Sequence, residues 1–236
     1  YDFGYATKFK KKTKKKALLD YMRVIYAFMN SDYGWGEYSD LPSTQINAEM
    51  GFVKKPGWSW RTPYGVTAND QEPAVHLNAQ EAQTICRFYG KRLPTDSEWV
   101  MAAYLEQRSQ PKDGFISGRR YQYPNGDTAR GSHCLAGCAE HQGVAPKGAL
   151  NRGTGHVFVG TTKPGVNGLF DMGGNVWEWT ASSNSGQSIT RGASWWYGPE
   201  QQLESNVATK PNDTTVVYIG FRCVKDASSA ALSEKP

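Results

Sequence analysis

The chain has 236 residues, with 27 Lys and Arg against 22 Asp and Glu, a formal charge of +5. Seven of those cations are lysines between Lys8 and Lys16, and five minus seven leaves −2 for the remainder, so no basic surface for nucleic acid is distributed over the chain. No apolar run approaches the roughly twenty residues that span a bilayer.

With 25 Gly, 12 Pro, 8 Trp and 13 Tyr, the composition points to a turn-rich α+β fold of modest helix and strand content, held together by large aromatic side chains. The length suits a single domain over residues 17–226, preceded by a mobile lysine-rich segment, 1–16, and followed by a tail, 227–236. The lysine run reads as a solvated face that attracts an acidic partner only weakly. Tyr1 rather than Met at the start fits a removed signal peptide and equally a trimmed chain, while four cysteines lean toward an oxidising, periplasmic or otherwise secretory compartment.

In chain order, Leu18, Met22, Ile25 and Met29 recur at helical spacing and predict a helix over 17–29. Residues 30–57 read as an irregular surface excursion, rich in Asp, Ser, Gly and Pro. Pro73 to Leu77 reads as a short strand, after which Asn78 and Glu81 form a capping box that opens a helix ending by Gly90, with Ala82, Ile85 and Cys86 inward. A second capping box, Thr95 with Glu98, predicts a helix from Asp96 to about Glu106 that buries Trp99, Ala102 and Ala103. Residues 109–164 show no sustained period and read as loop.

The densest stretch is Gly168 to Thr180, where Gly173 and Gly174 permit a tight turn between Asp171 and Glu178. If both carboxylates converge with the carbonyls of Gly174 and Val176, they make a hard-oxygen site suited to calcium. The competing arrangement is a buried turn whose carboxylates meet arginine and backbone amides. Within His133 to His141, Cys134 and Cys138 are open to a local disulfide, to free thiols or to zinc with the flanking histidines; their close spacing favours the disulfide. His76 and His156 stand alone and read as structural.

Four ordered motifs carry a resemblance: Lys91-Arg-Leu-Pro-Thr-Asp-Ser-Glu-Trp99, the Gly-Gly-Asn-Val-Trp-Glu-Trp turn, Arg191-Gly-Ala-Ser-Trp195 and Gly220-Phe-Arg-Cys223. Together they are similar to the formylglycine-generating enzymes, or sulfatase-modifying factors, from about Trp58 to Asp226. The resemblance implies a C-type-lectin-like fold, structural calcium at Asp171, Gly174, Val176 and Glu178, a second calcium site near Asn151, and a disulfide between Cys86 and Cys223. It also implies a catalytic cysteine pair at two positions that here hold Tyr197 and Gln202. Neither can supply a thiolate or bind copper(I) through sulfur, so formylglycine generation by that route is not expected.

A pocket can outlast its chemistry. Trp177, Ser194, Trp195, Trp196 and Tyr197, with Arg191, Glu200 and Gln202, would offer an aromatic floor and polar contacts to a small-molecule or peptide-linked aromatic substrate. The chain is also similar to the branch of the family that matures the pyoverdine siderophore. That likeness implies a periplasmic oxidative maturation step with an unknown redox cofactor. A non-catalytic binding module on the same scaffold, with a periplasmic protein partner, is the competing expectation.

Overall fold

The computed structural model describes residues 4–5, 33–37, 52–138 and 155–226, with side chains over 56–138 and 155–226. The expected helix over 17–29, most of the lysine-rich segment, Asn151 and the tail lie outside the described residues.

A five-stranded mixed sheet organises the described chain. Its strands are β1 (Gly4–Tyr5), β4 (Trp177–Asn184), β5 (Gln187–Arg191), β6 (Ala208–Pro211) and β7 (Ile219–Cys223), in the order β1-β7-β4-β5-β6. Strands β4 and β7 run parallel, pairing Trp177 with Ile219 and Phe221 with Trp179, and the other pairings are antiparallel. Within the stretch expected to be irregular, β2 (Tyr33–Glu37) and β3 (Phe52–Pro56) pair antiparallel as a separate two-stranded sheet. Alternating glycines hid β2 from a periodicity reading.

Both capping boxes form. Asn78 accepts from the Glu81 amide at 2.9 Å and Glu81 returns the bond to the Asn78 amide at 2.9 Å, opening helix α1 (Ala79–Phe88) with Ala79, Ala82, Ile85 and Cys86 buried. Thr95 and Glu98 do the same for α2 (Asp96–Tyr104), which buries Trp99, Ala102, Ala103 and Tyr104. Helix α2 stops before Glu106 for a tertiary reason. The Asn167 side-chain amide donates to the carbonyls of Ala102 and Leu105, and the buried Glu106 turns back to Arg108 and the Asn167 amide.

The expected strand at Pro73–Leu77 does not form. His76 takes a left-handed backbone, φ 58°, which breaks extended geometry, although its amide still donates to the Val216 carbonyl at 3.1 Å. Residues 109–138 and 155–164 hold only turns and isolated bridges, as their composition predicts.

The main core packs α1 against the sheet through Val75, Leu77, Ile85, Trp177, Trp179, Trp195, Ile219 and Phe221. A smaller cluster joins α2 to Met172 in the Gly-Gly turn. Cys86 and Cys223 pin α1 to β7 across a separation of 137 residues. In the chain-entropy picture this closure contributes about 5 kcal/mol, against about 2 kcal/mol for the four-residue separation of Cys134 and Cys138.

Candidate functional site

The Gly-Gly turn is locked from three sides. A Cβ on Gly174, at φ 72°, would stand 2.2 Å from the His133 carbonyl oxygen, so only glycine admits that crossing. The Asn175 amide donates to the same carbonyl at 2.7 Å, its side chain exchanges hydrogen bonds with the Val157 backbone, and its own carbonyl accepts from the Trp195 amide. The turn therefore fixes the loops at 133 and 157 and the segment entering Trp195.

The two carboxylates flanking this turn have separate partners. Glu178, 1% exposed, accepts from Arg222 through both oxygens, at 2.5 and 2.6 Å, and from the Trp99 indole N–H at 2.7 Å. Asp171 accepts from the Thr162 hydroxyl at 2.5 Å and the Gly160 amide at 2.7 Å. Among the described residues, no three His, Cys, Asp or Glu side chains gather to hold a metal. A calcium ion at Glu178 would face the Arg222 guanidinium and compete with three N–H donors, so Asp171, Gly174, Val176 and Glu178 as arranged do not fit one. The turn adopts the other arrangement weighed for it, with carboxylates met by arginine, indole, hydroxyl and amide groups. No local spacing links position 178 to 222; the parallel β4–β7 pairing does, through Glu178 opposite Gly220.

The residues expected to line an aromatic pocket divide into three groups. Trp177 and Trp195 are core, at 2% and 0% exposure, and Ser194 is buried beneath them, its hydroxyl accepting from the Trp196 amide. Arg191 is scaffold. It grips Asp96 with bonds of 2.6 and 2.8 Å and donates to the carbonyls of Glu204 and Asn206, which ties β5 to α2. Trp196 and Tyr197 are half-buried and reach the surface, and Glu200 is exposed.

Tyr197 stands edge-on to Trp177 and Tyr218, with ring centroids 5.6 and 5.8 Å away, and Trp196 stacks edge-on to Trp195 at 5.1 Å. Burial pushes the Tyr197 phenol up, partly offset by a hydrogen bond from Tyr218. Lys210 sits 5.3 Å from the Trp177 ring centroid, and burial lowers the pKa of its ammonium group. The indole N–H groups of Trp177 and Trp195 are buried without an acceptor. A polar hollow of about 310 Å³, lined in part by Asn78, Gln83, Ser183 and Asn212, shares no residue with this cluster.

Gln202 is fully buried at the opening of the Gly-Gly turn. A Cβ on Gly173 would meet its Oε1 at 2.5 Å, so bare backbone makes room for the amide. Its Nε2 donates to Cys138 Sγ at 3.2 Å, while Oε1 accepts from nothing. Cys138 is bonded to Cys134, which removes both sulfur ligands from the zinc reading. The loop between them is tied down by the Leu135 amide, which donates to the Tyr197 carbonyl at 3.0 Å. Both bridges together consume all four cysteines, as suits an oxidising compartment.

Of the two histidines, His156 is central to a buried chain that sequence reasoning missed. Its ring bonds Glu72 at 2.8 Å and the Tyr64 hydroxyl at 3.0 Å, and burial holds its pKa below the usual histidine value. His76 donates through Nε2 to the Pro63 carbonyl, and burial brings its pKa down to about 4.

With this geometry in place, comparison with known proteins is decisive at the family level. Residues 7–227 match the sulfatase-modifying factor enzyme 1-like domain. The chain belongs to that family. The formylglycine-generating enzyme of Thermomonospora curvata is 29% identical over 206 residues, covering 74% of this chain and 64% of that protein. The inactive C-alpha-formylglycine-generating enzyme 2 of Mus musculus is 29% identical over 219 residues, covering 83% and 66%. The chain thus spans a little less than two thirds of either relative. The solved structure of PvdO from Pseudomonas aeruginosa aligns with a TM-score of 0.49 at 16% identity, covering 86% of this chain and 74% of that one.

Family membership accounts for the α+β architecture and for the motifs that meet at the Gly-Gly turn. Tyr197 and Gln202, where the resemblance expects a thiol pair, both touch the Cys134–Cys138 loop.

Proposed function

We propose that this member of the family binds a peptide-linked aromatic substrate and takes part in its oxidative maturation, in an oxidising compartment such as the periplasm, with the pyoverdine chromophore precursor as the substrate to test. The observation that carries this reading is the cluster around Tyr197. Two half-buried rings, Trp196 and Tyr197, rest on a rigid aromatic floor. Stacking area of this kind suits a flat aromatic ligand, and Lys210 beside Trp177 adds a cation for its carbonyl or phenolate oxygens. A floor locked by core packing favours binding without large rearrangement. Formylglycine generation through a thiol pair at 197 and 202 is excluded by chemistry, because neither tyrosine nor glutamine forms a mixed disulfide.

The test is mass spectrometry of the siderophore pool from cells lacking the protein, complemented with the unaltered chain or with a Trp196→Ala, Tyr197→Ala variant. Accumulation of an unoxidised precursor, relieved only by the unaltered chain, supports the proposal. An unchanged pool rejects it.

A second reading is a binding module without catalysis. It is favoured by the same replacement of the thiol pair and by the relative whose name marks it as inactive. That module would retain the precursor in a pull-down yet fail to change its mass when the purified components are mixed in air.

A further inference from the structure

The Cys134–Cys138 disulfide differs from its counterpart in burial, in ring size and in what it holds together. Cys86 and Cys223 are both buried, join a helix to a strand and contribute the larger closure entropy. Cys134 is half-buried in a surface loop, while Cys138 is 3% exposed beneath it. The ring between them is only four residues in separation, and opening it releases no secondary element.

The polar atoms around the two sulfurs are asymmetric. Ala136 places its carbonyl oxygen 2.9 Å from Cys134 Sγ, which disfavours negative charge there. Gln202 places an N–H 3.2 Å from Cys138 Sγ. A disulfide sulfur is a weak acceptor, so this bond gains little in the oxidised protein, and it leaves Gln202 Oε1 buried and unsatisfied. The same N–H becomes a charge-assisted donor once Cys138 is a thiolate. Gln202 Nε2 therefore bonds Cys138 more strongly as a thiolate than as a disulfide sulfur, which favours Cys138 over Cys134 as the sulfur that carries the charge.

We propose that Cys134–Cys138 is a thiol-exchange site, with Cys134 the sulfur attacked, Cys138 the leaving thiolate and Gln202 the residue that receives its charge. The substrate class is a thiol-bearing peptide or small thiol. Its thiolate attacks Cys134 Sγ, the Cys134–Cys138 bond breaks, and the electron pair remains on Cys138 Sγ facing Gln202 Nε2–H. A second thiolate then attacks the substrate sulfur of the mixed disulfide, and Cys134 leaves and takes a proton from water. Two thiols are oxidised to one disulfide, and the protein disulfide is reduced to two thiols. The proposal is independent of the aromatic substrate proposed above, and an unchanged siderophore pool would leave it standing.

The experiment equilibrates the intact chain in reduced and oxidised glutathione, quenches with acid, alkylates free thiols and maps them by mass spectrometry. Cys134–Cys138 should open and close reversibly while Cys86–Cys223 stays closed, and the glutathione adduct should sit on Cys134. Gln202→Leu should shift the exchange equilibrium toward the disulfide by about tenfold, or about 30 mV. Opening of Cys134–Cys138 only together with Cys86–Cys223 overturns the proposal. So does an adduct found chiefly on Cys138, a result read in the unaltered chain that does not depend on any variant folding. An unshifted equilibrium in a folded Gln202→Leu chain removes the assigned role of Gln202.

Discussion

The two sides of the Gly-Gly turn are built on opposite rules. On one side, Glu178 is met by Arg222 and Trp99, so that a buried charge has a counter-ion and three N–H donors. On the other side, Gln202 fills the space beside Gly173 with one bond to sulfur and a carbonyl oxygen that bonds nothing. The first arrangement is fully satisfied and holds β4 to β7. The second leaves polar capacity unused next to a disulfide. Satisfaction on the first side marks scaffold, whereas a buried amide oxygen without a partner is a cost that packing alone does not explain.

Removing one member of the buried pair tests the satisfied side most severely. Glu178→Ala strands the Arg222 guanidinium in the core and should cost about 3–5 kcal/mol in a denaturant melt, whereas replacing both partners with apolar residues of similar volume should cost much less. A melt showing the single and double variants equally damaged would mean that shape, rather than charge, holds the turn.

The next effect in size is pH dependence. His76 is neutral in the folded protein down to about pH 4, while in the unfolded chain it takes up a proton near pH 6.5. Between those values the unfolded state binds more protons, so stability falls as pH falls, by up to about 3 kcal/mol from this group. His76→Asn, which tolerates the left-handed backbone, should flatten the stability profile between pH 6.5 and 4. His156 contributes in the same direction, since its pKa is also lowered by burial.

On the unsatisfied side the sign changes. Gln202→Leu removes an orphaned oxygen and should leave the melting temperature unchanged or raise it, within about 1 kcal/mol, while it alters disulfide exchange. A loss comparable to that of Glu178→Ala would make Gln202 scaffold and erase the contrast. The smallest effect belongs to the surface. Arg119 and Asp127 pair at 2.8 Å with both side chains largely exposed, and Asp127→Ala should change stability by less than about 0.5 kcal/mol.

Parts of this architecture were legible before any coordinates. The two capping boxes mark where α1 and α2 begin because a cap is a bond between residues three apart, and three-residue spacing is visible in a string. The end of α2 was not visible, since it depends on Asn167, more than sixty residues away. The buried His156–Glu72–Tyr64 chain was equally hidden, its members being 84 and 92 residues apart. At the candidate site, the sequence set Tyr197 and Gln202 where the resemblance expects a thiol pair, and it favoured Cys134 with Cys138 as a local bridge. It could not show that the bridge and these two residues touch.

The amino-acid sequence by itself thus determined the family, the starts of both helices, the need for glycine at the turn and the chemistry that Tyr197 and Gln202 cannot perform. Each follows from residue type, from short spacing or from ordered motifs. Only the tertiary structure decided that Glu178 meets Arg222, that Arg191 ties itself to Asp96, and that Gln202 faces Cys138. Those outcomes depend on which side chains a packed core brings within hydrogen-bonding distance of one another. Burial then sets their price: a charge taken from water must find its partner wherever the fold has placed one.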